Sequence, residues 1–149
     1  MTPRPAVLAV LVGALLASGC SDGEQSVPAA CRQGPEAVRV ALREAPGPVT
    51  LDGTPLSECI DDTSGGGELR DVGNAYLEAA AELAPAATRD PDGAAAVQLG
   101  YLMGAFARSK AGSQGVGYEL GRRLRSELLS VDVRSPAFVR GERAGRRTG

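Results

Sequence analysis

The stretch from Ala94 to Ala107, AAAVQLGYLMGAFA, most limits the folds that are open to this chain. Gln98 is its one clearly polar side chain, so the stretch predicts a helix that is apolar on every face. Its 14 residues fall short of the roughly 20 that a transmembrane helix needs. The stretch is therefore predicted to be the buried central helix of a bundle and not a membrane span.

Three other segments show the apolar spacing of amphipathic helices. The first opens at Gly34-Pro35 and is stopped by Pro46, the second starts at Leu69 and ends near Pro85, and the third covers 116–131. With the central helix, they predict an all-α fold: a small bundle of three to four helices joined by short loops. The helical domain is expected to span residues 31–133.

Two segments lie outside this helical pattern. Residues 49–57 contain Asp52-Gly53, a hairpin-type turn signal, and leave room for a β-ribbon with two or three residues per strand. Residues 134–149 are predicted to form a short docked turn around Phe138, followed by a frayed basic tail.

The first 20 residues have the order of an export signal. Arg4 precedes an apolar stretch from Ala6 to Ala17, and the small residues Ser18 and Gly19 follow. The end of this segment, Leu16-Ala17-Ser18-Gly19-Cys20, resembles the lipobox of bacterial lipoproteins. That family usually has leucine three residues before the cysteine, where this chain has Ala17.

The resemblance implies that the Cys20 thiol receives a diacylglycerol and that cleavage makes Cys20 the new N-terminus. Residues 1–19 would then be a signal peptide, and the polar residues 20–30 a flexible tether to the domain. We therefore expect an exported protein, anchored by lipid at the outer face of the cell membrane or in the cell envelope. An ordinary secretory signal, cut at a nearby small residue, is the alternative.

The cysteine count agrees with this interpretation. The chain has three cysteines, an odd number for an exported protein. If Cys20 is acylated, Cys31 and Cys59 remain as one pair, and we predict a structural disulfide between them. A redox-active pair is the alternative, but their spacing is far from C-x-x-C.

The absence of histidine excludes several kinds of chemistry. Without an imidazole there is no Ser-His-Asp or Cys-His nucleophile pair and no His-ligated zinc. We expect no metal and no cofactor. Acidic residues do crowd the middle of the chain: Asp52, Glu58, Asp61, Asp62, Glu68 and Asp71. They are expected to form a solvated surface, and a carboxylate-dependent hydrolase is the less favoured alternative.

The central helix contains a GxxxG motif, Gly100 to Gly104. Two glycines four residues apart open a groove into which another backbone can pack closely. Internal helix packing is the simpler interpretation. A dimer face, or a ligand slot lined by Tyr101 and Met103, is the alternative.

The charges of the chain are strongly divided. Residues 20–100 carry 14 acidic and 5 basic side chains, whereas residues 101–149 carry 10 basic and 4 acidic ones. We expect an acidic second helix to pack beside a basic last helix. Four arginines of the tail are candidates for contact with an anionic surface: Arg140, Arg143, Arg146 and Arg147.

Together these observations predict a non-catalytic envelope lipoprotein with a structural or interaction role. Its expected partners are the membrane, through the N-terminal lipid, and an envelope protein or polyanion. The net charge of −2 argues against nucleic acid. A lipid-anchored binder of a small apolar or anionic ligand is the second hypothesis.

Overall fold

The computed structural model describes residues 27–61, 66–113 and 115–149. These residues form an all-α bundle with one two-stranded ribbon, which confirms the predicted fold class. The helices are α1 (Pro35–Ala41), α2 (Leu56–Asp61), α3 (Gly66–Arg89), α4 (Ala94–Arg108), α5 (Gly115–Glu127) and α6 (Pro136–Thr148). The strands are β1 (Thr50–Leu51) and β2 (Thr54–Pro55).

The apolar helix α4 lies at the centre of the bundle, as predicted. It contacts α2, α3 and α6. Leu99, Leu102 and Ala105 on different faces of α4 are completely buried. A helix without a polar face is stable in water only when neighbours cover it on all sides, and α4 has that environment.

The short ribbon also forms where the turn signal predicts it. β1 and β2 pair antiparallel, with Leu51 opposite Thr54. Asp52 and Gly53 both have positive φ, 46° and 88°, which is the backbone of a two-residue hairpin turn that favours Asp-Gly.

Helix α3 runs past the point where proline was predicted to end it. Pro85 lies inside the helix, which continues to Arg89. Proline removes one backbone hydrogen bond, but Ala84 and Ala87 on either side of it are buried in the core. Burial of these neighbours outweighs the lost hydrogen bond, so the prediction of a helix end near Pro85 was wrong.

The domain begins earlier than residue 31. Val27 is only 1% exposed, and a 3₁₀ turn covers Ala29–Arg32. The prediction of a flexible tether over 20–30 was therefore wrong for residues 27–30, because an apolar contact and a disulfide hold them on the core. Residues 20–26 lie outside the described residues, as does the predicted signal peptide.

The last residues form helix α6 and not a frayed tail, so that prediction was also wrong. The Ser135 hydroxyl accepts a hydrogen bond from the Phe138 amide at 3.2 Å, and Pro136 occupies the first turn. These are strong helix-start signals. The buried face of α6 consists mainly of small residues, which leave little apolar periodicity for a sequence pattern to detect: Ala137, Phe138, Gly141, Ala144 and Gly145.

Candidate functional site

The groove predicted at Gly100 and Gly104 is filled by the backbone of α6. A Cβ atom on Gly100 would lie 2.1 Å from the Phe138 carbonyl oxygen, and one on Gly104 would lie 2.2 Å from that of Glu142. These distances are far below van der Waals contact. The two glycines therefore serve close internal packing, and the groove is not open to a ligand.

Helix α6 carries a matching GxxxG motif that the sequence analysis missed. A Cβ atom on Gly141 would lie 2.0 Å from the Val97 carbonyl oxygen, and one on Gly145 would lie 2.1 Å from that of Tyr101. The contact moves toward the C-terminus of both helices together, from Gly141 against Val97 to Gly145 against Tyr101. The two helices therefore run parallel. Their C-terminal ends consequently lie at the same end of the bundle.

Two buried tyrosines connect this helix pair to the rest of the domain. The Tyr101 hydroxyl accepts a hydrogen bond from the Val49 amide at 2.9 Å and lies 2.9 Å from the Thr148 hydroxyl. The Tyr76 hydroxyl donates to the Leu56 carbonyl at 2.7 Å, and burial raises the pKa of Tyr76. Tyr101 therefore has a structural position between α4, α6 and the approach to β1, and does not line a ligand slot.

We expect Tyr101→Phe to lower the free energy of unfolding by about 1–3 kcal/mol, because it leaves the buried Val49 amide without its acceptor. Tyr118→Phe is the matched control, since Tyr118 is 54% exposed and should change stability by less than about 0.5 kcal/mol. Urea unfolding followed by circular dichroism measures both. Equal stability of the two variants would contradict the assigned role of Tyr101.

Helix α2 joins the beginning of the domain to the ends of α4 and α6. Cys59 on α2 is bonded to Cys31, with 5.4 Å between their Cα atoms, which confirms the predicted pairing. Ser57 donates its hydroxyl to the Gly149 carbonyl at 2.5 Å, and the Asp61 carboxylate accepts from the Lys110 amide at 2.6 Å. We call this end of the bundle, formed by Cys31, α2 and residues 108–110 and 146–149, the α2 pole.

The four arginines proposed from sequence for anionic contact all lie on α6 and are all exposed. Arg146 forms an ion pair with Glu142 at 2.7 Å. Arg140, Arg143 and Arg147 are spaced i, i+3 and i+7, so they share one face of the helix. None of these three side chains has an ion pair within the described part of the chain, and we call them the arginine stripe.

A second basic feature lies at the α2 pole itself. Arg108 donates through Nη1 to the Arg147 carbonyl at 2.9 Å. Its guanidinium therefore caps the C-terminal end of α6, where the helix dipole favours a positive charge. Lys110, Arg125 and Arg146 line an open cleft of about 530 Å³ beside it. Glu142, the ion-pair partner of Arg146, lines the same cleft, so the cleft combines three basic side chains with one carboxylate.

The predicted packing of an acidic helix against a basic one is found as a contact between α3 and α5 but, among the described residues, without the ion pairs that would join them. Helices α3 and α5 are in contact, but the ion pairs of Arg122 and Arg123 are both with Glu119 on α5 itself. Hydrogen bonds from Arg122 and then Arg123 lower the pKa of Glu119 to about 2. The ion pairs of these two arginines are therefore within α5 and not with α3.

A shallow groove of about 310 Å³ lies between α3 and α5, and we call it the α3–α5 groove. Its apolar wall consists of four side chains: Leu69, Leu77, Val116 and Leu120. Arg70 and Asn74 add polar groups to the same groove. Val116 is half exposed, so an apolar surface there faces solvent.

Cys20 lies outside the described residues. The disulfide joins two of the three cysteines in the chain, and Cys20 is the third. In the described ranges, no helix has the length and hydrophobicity to cross a bilayer. The same residues contain no group of three or more acidic or cysteine side chains placed to hold a metal ion.

No protein-family model, curated protein or solved structure matches this chain.

Proposed function

We propose that the protein is an envelope lipoprotein, with a disulfide-linked helical domain anchored to a membrane by acylation of Cys20. The domain has a structural or interaction role and not a catalytic one. It is exported, and it is held at the outer face of the cell membrane or in the envelope.

The observation that carries this proposal is the Cys31–Cys59 disulfide. It accounts for two of the three cysteines and is typical of exported proteins, because reducing compartments keep thiols free. The remaining Cys20 directly follows the apolar segment that resembles a lipobox. An acylated Cys20 would leave no unexplained thiol in an oxidising environment.

Mass spectrometry of the protein extracted from membranes tests the acylation. We expect an N-terminal peptide that begins at Cys20 and carries a diacylglycerol, with the whole protein released from membranes only by detergent. Two acyl chains give firm anchoring, since each buried methylene contributes about 0.8 kcal/mol.

The Cys20→Ser variant should lose the lipid mass and leave the membrane fraction, whereas Ser18→Ala should keep both because it preserves a small residue before the cysteine. A wild-type N-terminus at another small residue, without lipid, would instead establish an ordinary secretory signal.

The α3–α5 groove favours a second candidate function, the binding of a small amphiphile. Its apolar wall suits an acyl chain or a similar apolar group, and Arg70 and Asn74 offer polar partners for an anionic head. The same membrane-extracted protein distinguishes the candidates: a bound amphiphile adds mass in the native spectrum that denaturation removes, whereas the lipid on Cys20 is retained.

A further inference from the structure

The folded domain starts close to the proposed lipid. Val27 is already buried, so only seven residue steps separate it from Cys20. Fully extended, they reach at most about 25 Å. An acylated Cys20 would therefore keep the beginning of the domain within that distance of the headgroups, close enough for one face of the domain to contact the membrane.

Helix α2 links the start of the domain to the end of the helix that carries the arginine stripe. Cys31, four residues after Val27, is bonded to Cys59 on α2. Ser57 on the same short helix bonds to Gly149 at the end of α6. Arg147 thus lies two residues from the contact of α6 with α2, the helix that also holds Cys31, and Arg140 lies about 10 Å further along the helix axis.

Charge also distinguishes α6 from α3, the longest helix of the bundle. Residues 136–148 contain four arginines and one glutamate, a net charge of +3. Residues 66–89 of α3 contain two arginines and four acidic residues, a net charge of −2. An anionic membrane surface attracts the first helix and repels the second.

We infer that the arginine stripe is the membrane-facing surface of the domain, where Arg140, Arg143 and Arg147 bind the phosphate groups of anionic phospholipids in the membrane that holds the Cys20 acyl chains. This inference rests on the acylation proposed above. Lipid and basic stripe act together: the lipid holds the protein on the membrane, and the stripe decides which face of the domain meets it.

Arginine modification by phenylglyoxal, quantified for each site by mass spectrometry, tests this orientation. The full chain extracted from membranes is reconstituted in vesicles of phosphatidylcholine alone or mixed with phosphatidylglycerol. We expect the stripe arginines to react about fivefold more slowly on the anionic vesicles, since an arginine near such a surface gains about 1 kcal/mol. High salt should remove the difference because it screens the surface charge.

Exposed arginines elsewhere on the same molecule are the internal controls. Arg43 and Arg89 are exposed and should react at equal rates on both kinds of vesicle. Arg143→Glu places a negative charge at the centre of the stripe and should abolish the protection of Arg140 and Arg147, whereas Arg89→Glu should not. Thermal unfolding of both variants checks that the fold is retained.

Three results overturn the inference: equal reactivity of the stripe on the two vesicles, protection of the control arginines in place of the stripe, or protection that survives Arg143→Glu. The digest also contains the Cys20 peptide, so the two proposals are separable. Acylated Cys20 without stripe protection refutes the orientation alone, whereas unmodified Cys20 refutes the anchor and the orientation with it.

Discussion

Gly141→Ala is expected to lower the free energy of unfolding by about 3 kcal/mol, because the added methyl group forces two packed helices apart. Its Cβ atom would lie 2.0 Å from the Val97 carbonyl oxygen, and a backbone atom cannot rotate away as a side chain can. Helix propensity alone predicts the opposite sign, a gain of about 1 kcal/mol. Urea unfolding therefore distinguishes the two effects by direction as well as by size.

Gly67→Ala is the matched control for this substitution. Gly67 is also helical, and a Cβ atom there meets nothing within 4 Å. We expect that variant to be equally stable or more stable by up to about 1 kcal/mol. If Gly141→Ala were as stable as Gly67→Ala, the close parallel packing of α4 and α6 would be refuted.

Cys31→Ala with Cys59→Ala is expected to cost about 3.6 kcal/mol, since the disulfide closes a loop of about 29 residues in the unfolded chain. That is a large part of the ~5–15 kcal/mol that stabilises a typical small domain. The bond also holds the 3₁₀ turn at the start of the domain against α2. Chemical unfolding of the double variant beside the wild-type protein measures the loss.

Two controls accompany this experiment. Cys20→Ser should leave the stability of the domain unchanged, because the bond involves only Cys31 and Cys59. Reduction of the unfolded wild-type protein should break the bond between the Cys31 and Cys59 peptides and add two hydrogen atoms to their combined mass, two electrons and two protons from the reductant. A double variant as stable as the wild type would show that the disulfide contributes nothing to folding.

The central helix and the ribbon were predictable because their signals are local. Residues 94–107 are apolar on all faces, which allows only a buried position whatever the partners are. Asp52-Gly53 suits the positive φ of its hairpin turn. The pairing of Cys31 with Cys59 followed from cysteine parity once Cys20 was assigned to the lipid, without knowledge of the fold.

Helix α2 and helix α6 were not predicted, because their stability depends on distant contacts. Residues 56–61 are too few to form a stable helix alone, and the buried residues Leu56 and Ile60 anchor α2 in the core. The interior face of α6 is largely glycine and alanine. Such a face provides almost no hydrophobic signal, yet it allows the backbones of α4 and α6 to pack very closely.

The candidate surface was only partly predictable. The sequence placed four arginines near the end of the chain and assigned them to one basic tail. The fold divides them: Arg146 is paired with Glu142, and the other three form a single exposed stripe. Their separation requires a helical backbone over 136–148, which the sequence analysis did not predict.

The amino-acid sequence alone therefore determined the central buried helix, the disulfide partners, and an N-terminus that resembles a lipoprotein signal. These properties depend on hydrophobicity, cysteine count and short motifs, which are all local. Only the tertiary structure decided that the glycines of each of α4 and α6 lie against the backbone of the other helix, that α3 continues through Pro85, and that the start of the domain and the end of α6 are joined through α2. Each of these depends on burial or contact between residues that lie far apart in the sequence, which a local pattern does not specify.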